Sequence, residues 1–251
     1  MGGDNAGLVP VLPSPRSMST SRLPPALVSR LPDALIVDLD GTMVDTLGDF
    51  VAVLERVLTE LGLPVVGRDF VERTVGRGSE HLIRTTLAEV GGAPELYEQA
   101  WTRYQLHYAA LNGQHSAVYA GVQDGLRGLQ ALGLTLACLT NKPAAPARQL
   151  LALKGLDGFF AKTFGGDDFA RKKPDPEPLL KTCAALGLPP ERVWMVGDSV
   201  NDATAARAAG CPVVLVRYGY NHGHPVEEVG ADLLIDSLDE LPALLAGERG
   251  V

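Results

Sequence analysis

The sequence is poor in cysteine. Its 251 residues include only Cys138, Cys183 and Cys211, which lie far apart in apolar surroundings. An odd number of cysteines without a Cys-x-x-Cys spacing argues against both a disulfide framework and a zinc site. We therefore expect the cysteines to be small buried side chains in a reducing compartment, and the protein to be cytoplasmic.

Long apolar runs and an excess of basic residues are also missing. No run approaches the roughly 20 apolar residues that cross a bilayer, so we expect no membrane partner. Lys and Arg number 22 against 30 Asp and Glu, a formal net charge of −8. This balance argues against a nucleic-acid partner, because phosphate backbones attract basic surfaces. An anionic ligand would need a local site or a bound cation.

Several common catalytic motifs are absent. The chain has neither a G-x-G-x-x-G segment nor a P-loop, which argues against cradles for dinucleotides and nucleoside triphosphates. Ser199 lacks the glycine spacing of a nucleophile elbow, so a serine hydrolase is poorly supported. Residues 1–30 are rich in Pro, Ser and Gly, with no apolar stretch long enough for a signal peptide. This composition predicts a flexible arm that carries no chemistry.

Short apolar runs alternate with helical patterns after the arm. Near-continuous apolar runs are typical of strands that helices cover on both faces. They predict strands at 35–37, 134–139, 161–164, 193–196, 213–216 and 233–235. Helical patterns stand between them, at 122–132, 144–153, 176–186, 203–209 and 238–244. This alternation predicts an α/β fold with a doubly wound parallel sheet.

One long interval interrupts the alternation. Between the first two predicted strands, only helical patterns occur, at 49–61, 80–90 and 94–111. The simplest interpretation is a helical lobe inserted into a single α/β domain. We place this lobe at residues 47–118 and the core at residues 31–46 and 119–251.

Polar residues directly follow three of the predicted strands, in the segments 38–42, 140–142 and 197–202. Ligands of open α/β sheets bind at the carboxyl ends of the strands, so we expect these segments to converge. Convergence would crowd several carboxylates, which repel each other unless a cation joins them. All the available donors are hard oxygens, without Cys or His nearby, and this favours Mg²⁺.

A basic segment at 171–173 adds a partner for phosphate. Two prolines, at positions 174 and 176, would stiffen the chain beside Lys173. Carboxylate, metal, lysine and the Thr140 hydroxyl together suit phosphoryl transfer through an aspartyl-phosphate. Taken singly, each motif could be an ordinary turn, helix cap or exposed loop. Their combination at successive strand ends favours catalysis.

Four segments, in order, resemble the motifs of the haloacid dehalogenase superfamily of phosphatases. They are DLDGTMVDT at 38–46, LTN at 139–141, KKPDP at 172–176 and GDSVND at 197–202. The resemblance extends from residue 35 to about residue 241, and it implies a Rossmann-like core with a small inserted α-helical cap. Residues 205–225, which contain GYN, are similar to phosphoglycolate phosphatases. The motif residues show no departure from the family pattern, although Met43 stands where Leu is usual.

The resemblance also implies catalytic roles. Asp38 would be the nucleophile, and Asp40 would protonate the leaving group and then activate water. The substrate-binding residues would be Thr42, Thr140, Asn141 and Lys173. The substrate would be a small phosphorylated metabolite.

The same resemblance implies a metal site. Mg²⁺ would be bound by the side chains of Asp38 and Asp198 and by the backbone carbonyl of Asp40. Asn201 and Asp202 would support this shell, as groups behind metal ligands generally do.

Substrate choice is expected to depend on the helical lobe, in the segment 74–79. Two glycines there allow close approach of the backbone to a ligand, and Arg77 would pair with a carboxylate such as that of phosphoglycolate. The alternative is that Arg77 is a solvated loop residue. His222 and His224 have a chelating spacing, but a structural or surface role is favoured over a metal site. Tyr104 is expected to be a core residue of the lobe.

Other functions share parts of this pattern. A pyrophosphatase, a sugar phosphatase or a phosphoglucomutase-like enzyme would use the same chemistry. A receiver-like signalling domain also combines an α/β fold, a phosphorylatable aspartate and Mg²⁺. The inserted lobe and Asp40 disfavour it, because signalling needs a long-lived acyl phosphate. Intact motif residues argue against a catalytically idle binding module.

Overall fold

The computed structural model describes residues 22–250. The strands in this part of the chain are β1 (Ala34–Val37), β2 (Val44–Asp45), β3 (Ala117–Val118), β4 (Thr135–Leu139), β5 (Lys162–Phe164), β6 (Val193–Gly197), β7 (Val213–Val216) and β8 (Leu233–Ile235). Six of them form a parallel sheet in the order β5–β4–β1–β6–β7–β8. All six were expected from the apolar runs. The sheet confirms the predicted α/β class, with β1 near its centre.

The helices cover both faces of this sheet and form the inserted lobe. They are α1 (Pro25–Val28), α2 (Leu47–Glu60), α3 (Arg68–Thr74), α4 (Ser79–Glu89), α5 (Tyr97–Leu111), α6 (Val122–Ala131), α7 (Ala144–Leu153), α8 (Glu177–Leu186), α9 (Val200–Ala209) and α10 (Glu240–Arg249). Helices α2 to α5 lie in the predicted interval between the first two strands of the parallel sheet.

Strand β1 shows why the sheet needs helices on both sides. Leu35 and Val37 join a core with α1, α6, α7 and α10, whereas Ala34 and Ile36 join a second core with α8 and α9. Successive strand residues point to opposite faces, so an apolar run without polar breaks requires two covers. The three cysteines are buried in these cores, as expected.

The helical lobe has a core of its own, built around α2, α4 and α5. Its ring side chains include Phe50, Tyr104 and Tyr108, and Tyr104 is fully buried. A two-stranded antiparallel sheet of β2 and β3 links the lobe to the parallel sheet. Neither this sheet nor α3 was predicted. Two-residue strands and a seven-residue helix are too short to show a recognisable hydrophobic periodicity in the sequence.

The predicted flexible arm needs a correction at its end. Residues 1–21 lie outside the described residues, but residues 22–30 are folded. Leu23 and Leu27 are buried in the core. The indole N–H of Trp194 donates to the Arg30 carbonyl at 2.8 Å, and the Arg30 guanidinium donates to the Gly210 carbonyl at 2.7 Å. Between residues 22 and 250, no helix is both long and apolar enough to cross a membrane.

Candidate active site

The carboxyl ends of three adjacent strands meet at one cavity. Asp38 follows β1, Thr140 follows β4 and Asp198 follows β6, and all three line the cavity. Its empty space is about 590 Å³, including the part open to solvent. The expected convergence of the strand-end segments is therefore present in the fold.

Lys173 holds the negative groups of this cavity together. Its Nζ lies 3.0 Å from Asp38 Oδ1 and 2.7 Å from Asp202 Oδ1. It also donates to the Leu139 carbonyl at 3.0 Å. Burial alone would lower the pKa of this ammonium, but attraction to Asp202 and Asp38 outweighs it and raises the pKa. Lys173 therefore remains charged, with all three protons directed at acceptors.

Asn141 positions Lys173 through its main chain. The Asn141 Oδ1 accepts the Lys173 N–H at 3.0 Å, and its Nδ2 donates to the Lys173 carbonyl at 2.8 Å. The same Nδ2 donates to the Gly76 carbonyl of the helical lobe at 2.9 Å. Asn141 was expected to bind substrate. The structure places it in the cavity lining but commits its amide to holding the lysine and the lobe.

The buried carboxylates carry unbalanced charge. Burial raises the pKa of Asp38 to about 7, and repulsion from Asp202 adds to the effect, against the attraction of Lys173. Burial raises the pKa of Asp198 well above its ordinary value, and repulsion from the carboxylates of Asp202 and Asp38 raises it further. Asp38, Asp198 and Asp202 each offer one carboxylate oxygen, and these three oxygens lie within 4.8 Å of one another. Such a cluster is stabilised when a cation enters it.

The residues fit a divalent metal ion. Among the described residues lining the cavity, four carboxylates face two ammonium groups, a formal balance of −2. The carboxylates are Asp38, Asp40, Asp198 and Asp202, and the ammonium groups are Lys142 and Lys173. The donors are hard oxygens, which suit Mg²⁺.

Asp202 is already committed to other partners. Its Oδ1 accepts from Lys173, and its Oδ2 accepts from the Ser199 hydroxyl at 2.8 Å and the Ser199 N–H at 3.2 Å. The bond from the Ser199 N–H is one half of a capping box at the start of α9, and the Asp202 N–H donates to the Ser199 side chain in the other half. Both carboxylate oxygens of Asp202 therefore already accept hydrogen bonds, and its support of a metal shell stays a prediction.

Asp198 is fixed from two sides, and this changes the interpretation of Thr42. The Thr42 hydroxyl donates to Asp198 Oδ1 at 3.1 Å, and the Tyr220 N–H donates to Oδ2 at 2.6 Å. Thr42 is fully buried and is absent from the residues lining the cavity. Its hydroxyl positions a carboxylate, and the contact of Thr42 with substrate stays a prediction. Gly41 is required here, because its φ is +82° and a Cβ would lie 2.3 Å from Asp198 Oδ2.

Comparison with known proteins agrees with this geometry. The pattern of the haloacid dehalogenase-like hydrolase family matches residues 35–216. The chain belongs to that family. A phosphoglycolate phosphatase of Cupriavidus necator is 44% identical to this hydrolase over 225 residues, which cover 89% of this chain and 97% of the relative. A phosphoglycolate phosphatase of Thiobacillus denitrificans is 40% identical over 210 residues, which cover 82% and 92%.

A solved structure supports the fold of the hydrolase. The crystal structure of a predicted phosphoglycolate phosphatase from Haemophilus somnus superimposes with a TM-score of 0.81 at 29% identity. The match covers 85% of this chain and 97% of the other. The shared architecture therefore includes both the parallel sheet and the helical lobe, which we call the cap (residues 47–111).

The cap loop of the hydrolase approaches the site through its main chain. Gly76, Gly78 and Ser79 line the cavity, whereas Arg77 between them is exposed and is not among the described lining residues. The close backbone approach was expected from the glycines. A substrate contact by Arg77 remains a prediction.

Asn201 and His222 lie behind this loop. The Asn201 Nδ2 is 3.4 Å from the Gly76 carbonyl and 3.1 Å from His222 Nε2. Burial, with a further contribution from Arg77, lowers the pKa of His222, so the ring is neutral at pH 7. His224 is exposed while His222 is buried. This arrangement agrees with a structural role for the pair.

Lys142 is a second buried ammonium group at the cavity of the hydrolase, and the sequence motifs did not predict a role for it. Its Nζ lies 2.9 Å from Asp40 Oδ1, and the side chain is 2% exposed. The ring centroids of Phe50 and Tyr108 lie 5.1 and 5.0 Å from the same atom. The only signal was its place directly after Thr140 and Asn141 at the end of β4. A lysine there is usually solvated, so the signal was weak.

Proposed function

We propose that this hydrolase is a Mg²⁺-dependent phosphatase that hydrolyses 2-phosphoglycolate through an aspartyl-phosphate intermediate. The observation that carries the proposal is the buried Asp38 carboxylate, held against Lys173 and within reach of a cation shared with Asp198. The choice of substrate is supported by the relatives from Cupriavidus necator and Thiobacillus denitrificans, both phosphoglycolate phosphatases, which match across both core and cap.

The first half of the reaction moves the phosphoryl group to the protein. An Asp38 carboxylate oxygen attacks phosphorus, the ester P–O bond breaks, and the leaving alkoxide takes a proton from Asp40. Lys173 faces Asp38 and would neutralise phosphoryl oxygens held there. The Thr140 hydroxyl lines the same cavity and would bind another of these oxygens.

The second half of the reaction releases phosphate. Asp40, now ionised, takes a proton from a water molecule, whose oxygen attacks phosphorus of the aspartyl-phosphate. The acyl P–O bond breaks, and Asp38 is regenerated as a carboxylate. Asp38, Asp198 and the backbone carbonyl of Asp40 would hold Mg²⁺. When bound, Mg²⁺ supplies positive charge that lets an anionic nucleophile meet an anionic substrate.

The cap distinguishes this proposal from a receiver-like signalling domain. It places a loop and a ring side chain over the cavity, with Val75, Gly76 and Phe50 among the lining residues. Enclosure of this kind suits selection of a small substrate rather than exposure of a phosphorylated aspartate to a partner protein.

The experiment that tests the function is a substrate panel. The full chain with saturating Mg²⁺ is assayed against about twenty phosphorylated metabolites, including pyrophosphate and hexose phosphates, and kcat/KM values are ranked. We expect 2-phosphoglycolate to rank first. Pyrophosphate or a sugar phosphate in first place would replace this substrate with that of a pyrophosphatase, sugar phosphatase or mutase. Release of no inorganic phosphate from any compound would contradict the phosphatase itself.

A further inference from the structure

The two buried ammonium groups of the cavity differ in their free donor capacity. Lys173 directs its three protons at three acceptors, in Asp38, Asp202 and Leu139. Lys142 has one acceptor among the described residues, the Asp40 carboxylate at 2.9 Å. An ammonium group carries three donors, so two of those on Lys142 remain for a ligand.

The surroundings of Lys142 make this capacity selective for an anion. Its side chain is 2% exposed, so water does not compensate its charge fully. The rings of Phe50 and Tyr108, 5.0–5.1 Å away, attract the cation but accept no conventional hydrogen bond. Phe50 and Lys142 both line the cavity that contains Asp38. An anionic substrate group beside Lys142 would therefore find a desolvated, partly unpaired positive charge.

The position of Lys142 relative to Asp40 indicates which part of a substrate it meets. In the proposed reaction Asp40 contacts the ester oxygen that it protonates. A single methylene separates that oxygen from the carboxylate of 2-phosphoglycolate. An ammonium group within 2.9 Å of Asp40 is therefore close to the place of the substrate carboxylate.

We infer that Lys142 is the specificity-determining residue that binds the carboxylate of a two-carbon phosphorylated acid. The inference rests on the proposed function and deepens it. It moves recognition of the carboxylate from the cap loop to the core, since Arg77 is exposed and outside the described cavity lining. The cap contributes the rings of Phe50 and Tyr108, which enclose the ammonium group.

The test compares two substrates that differ in the carboxylate. The full chain is assayed with 2-phosphoglycolate and with ethyl phosphate, in which a methyl group replaces the carboxylate. Lys142→Met removes the charge and keeps an unbranched side chain, and Lys142→Arg keeps the charge. Lys162→Met makes the matched change at an exposed lysine. Arg77→Ala tests the rival position.

We expect Lys142→Met to lower the preference for 2-phosphoglycolate over ethyl phosphate by about 10- to 100-fold, the range for a hydrogen bond to a charged group. Lys142→Arg should restore part of the preference, and Lys162→Met should leave it unchanged. A thermal melt establishes that each variant is folded. If Lys142→Met does not fold, the test rests on Lys142→Arg. A raised KM for 2-phosphoglycolate with little change in kcat would then support the inference, and an unchanged KM would contradict it.

Two results overturn the inference in different ways. Equal losses on both substrates in Lys142→Met would show that Lys142 acts only through Asp40. Loss of the preference in Arg77→Ala, but not in Lys142→Met, would return recognition to the cap loop. In either case the wild-type chain still prefers 2-phosphoglycolate, so the proposed function stands. A wild-type chain without that preference would overturn both.

Discussion

The core and the cap face the same cavity with different kinds of groups. The core contributes charged side chains buried in pairs, such as Lys173 between Asp38 and Asp202. The cap contributes the ring of Phe50 to the cavity lining. This ring stacks on Tyr108 at a centroid distance of 5.6 Å, and Tyr108 stacks on Tyr104 at 5.3 Å. The difference indicates a division of work, because buried charges stabilise a reacting anion whereas rings enclose and shape the space around it.

The largest effect should follow a change in the core nucleophile. Asp38→Asn keeps the shape of the side chain but removes the carboxylate that would attack phosphorus in the proposed reaction. We expect hydrolysis of p-nitrophenyl phosphate to fall by at least about 10⁴-fold, the scale seen when a nucleophile is lost. The matched control is Asp157→Asn, at an exposed position of the same residue type. A variant at position 38 that retained turnover would exclude every mechanism through an aspartyl-phosphate.

A change at Lys173 should affect both stability and activity. Lys173→Met leaves Asp38 and Asp202 facing each other without a cation, and breaking a buried pair in this way costs about 3 to 5 kcal/mol. This destabilisation is measured as the difference in the free energy of unfolding between variant and wild type, from urea titrations at pH 8. The loss should shrink at pH 5, because Asp38 has a raised pKa of about 7 and can take up a proton there. A loss below about 1 kcal/mol, typical of a surface pair, would show that the core site is not built on buried charge.

The raised pKa of Asp38 predicts a link between pH, metal and stability. An unfolded chain loses this proton near pH 4, whereas the folded carboxyl, with a pKa of about 7, keeps it longer. Between about pH 4 and pH 7, the folded state therefore binds more protons than the unfolded state. The contribution of Asp38 to the free energy of unfolding is present below about pH 4 and is lost as the pH rises to about 7.

In the proposed site Mg²⁺ would bind the ionised carboxylates of Asp38 and Asp198, so it should reverse this loss. We expect the increase in Tm on adding Mg²⁺ to be several degrees larger at pH 8 than at pH 5.5. Asp38→Asn should reduce the difference. An equal increase at both pH values would place the metal away from these carboxylates.

The same division explains what could be predicted from the sequence. Asp38, Thr140 and Asp198 each follow an apolar run, and parallel topology brings the ends of such runs together, so the core site could be located in advance. The role of Thr42 could not, because its hydroxyl reaches Asp198, 156 positions along the chain. Lys142 was missed for a related reason. Its burial depends on the cap residues Phe50 and Tyr108. No periodic pattern in the local sequence indicates which cap residues pack against which core residues.

The smallest predicted effect lies where cap and core touch. The Asn201 amide contacts the Gly76 carbonyl of the cap at 3.4 Å and His222 at 3.1 Å. Asn141 makes the shorter contact to the same carbonyl, at 2.9 Å. Asn201→Ala should therefore loosen the cap loop only partly. We expect KM to rise about three- to tenfold, the effect of one neutral hydrogen bond, while kcat is nearly unchanged.

This prediction also separates two roles for Asn201. A residue that supports the metal shell should weaken the Mg²⁺ dependence of activity when it is replaced, whereas a residue that holds the cap should not. The measurement is the half-saturating Mg²⁺ concentration of Asn201→Ala beside that of the wild-type chain, at saturating substrate. An unchanged value with a raised KM would assign Asn201 to the cap contact. A raised half-saturating Mg²⁺ concentration would assign Asn201 to the support of the metal shell, as the family resemblance implies. In that case the loss of the Asn201 amide would act through the metal-binding carboxylates rather than through its contact with Gly76.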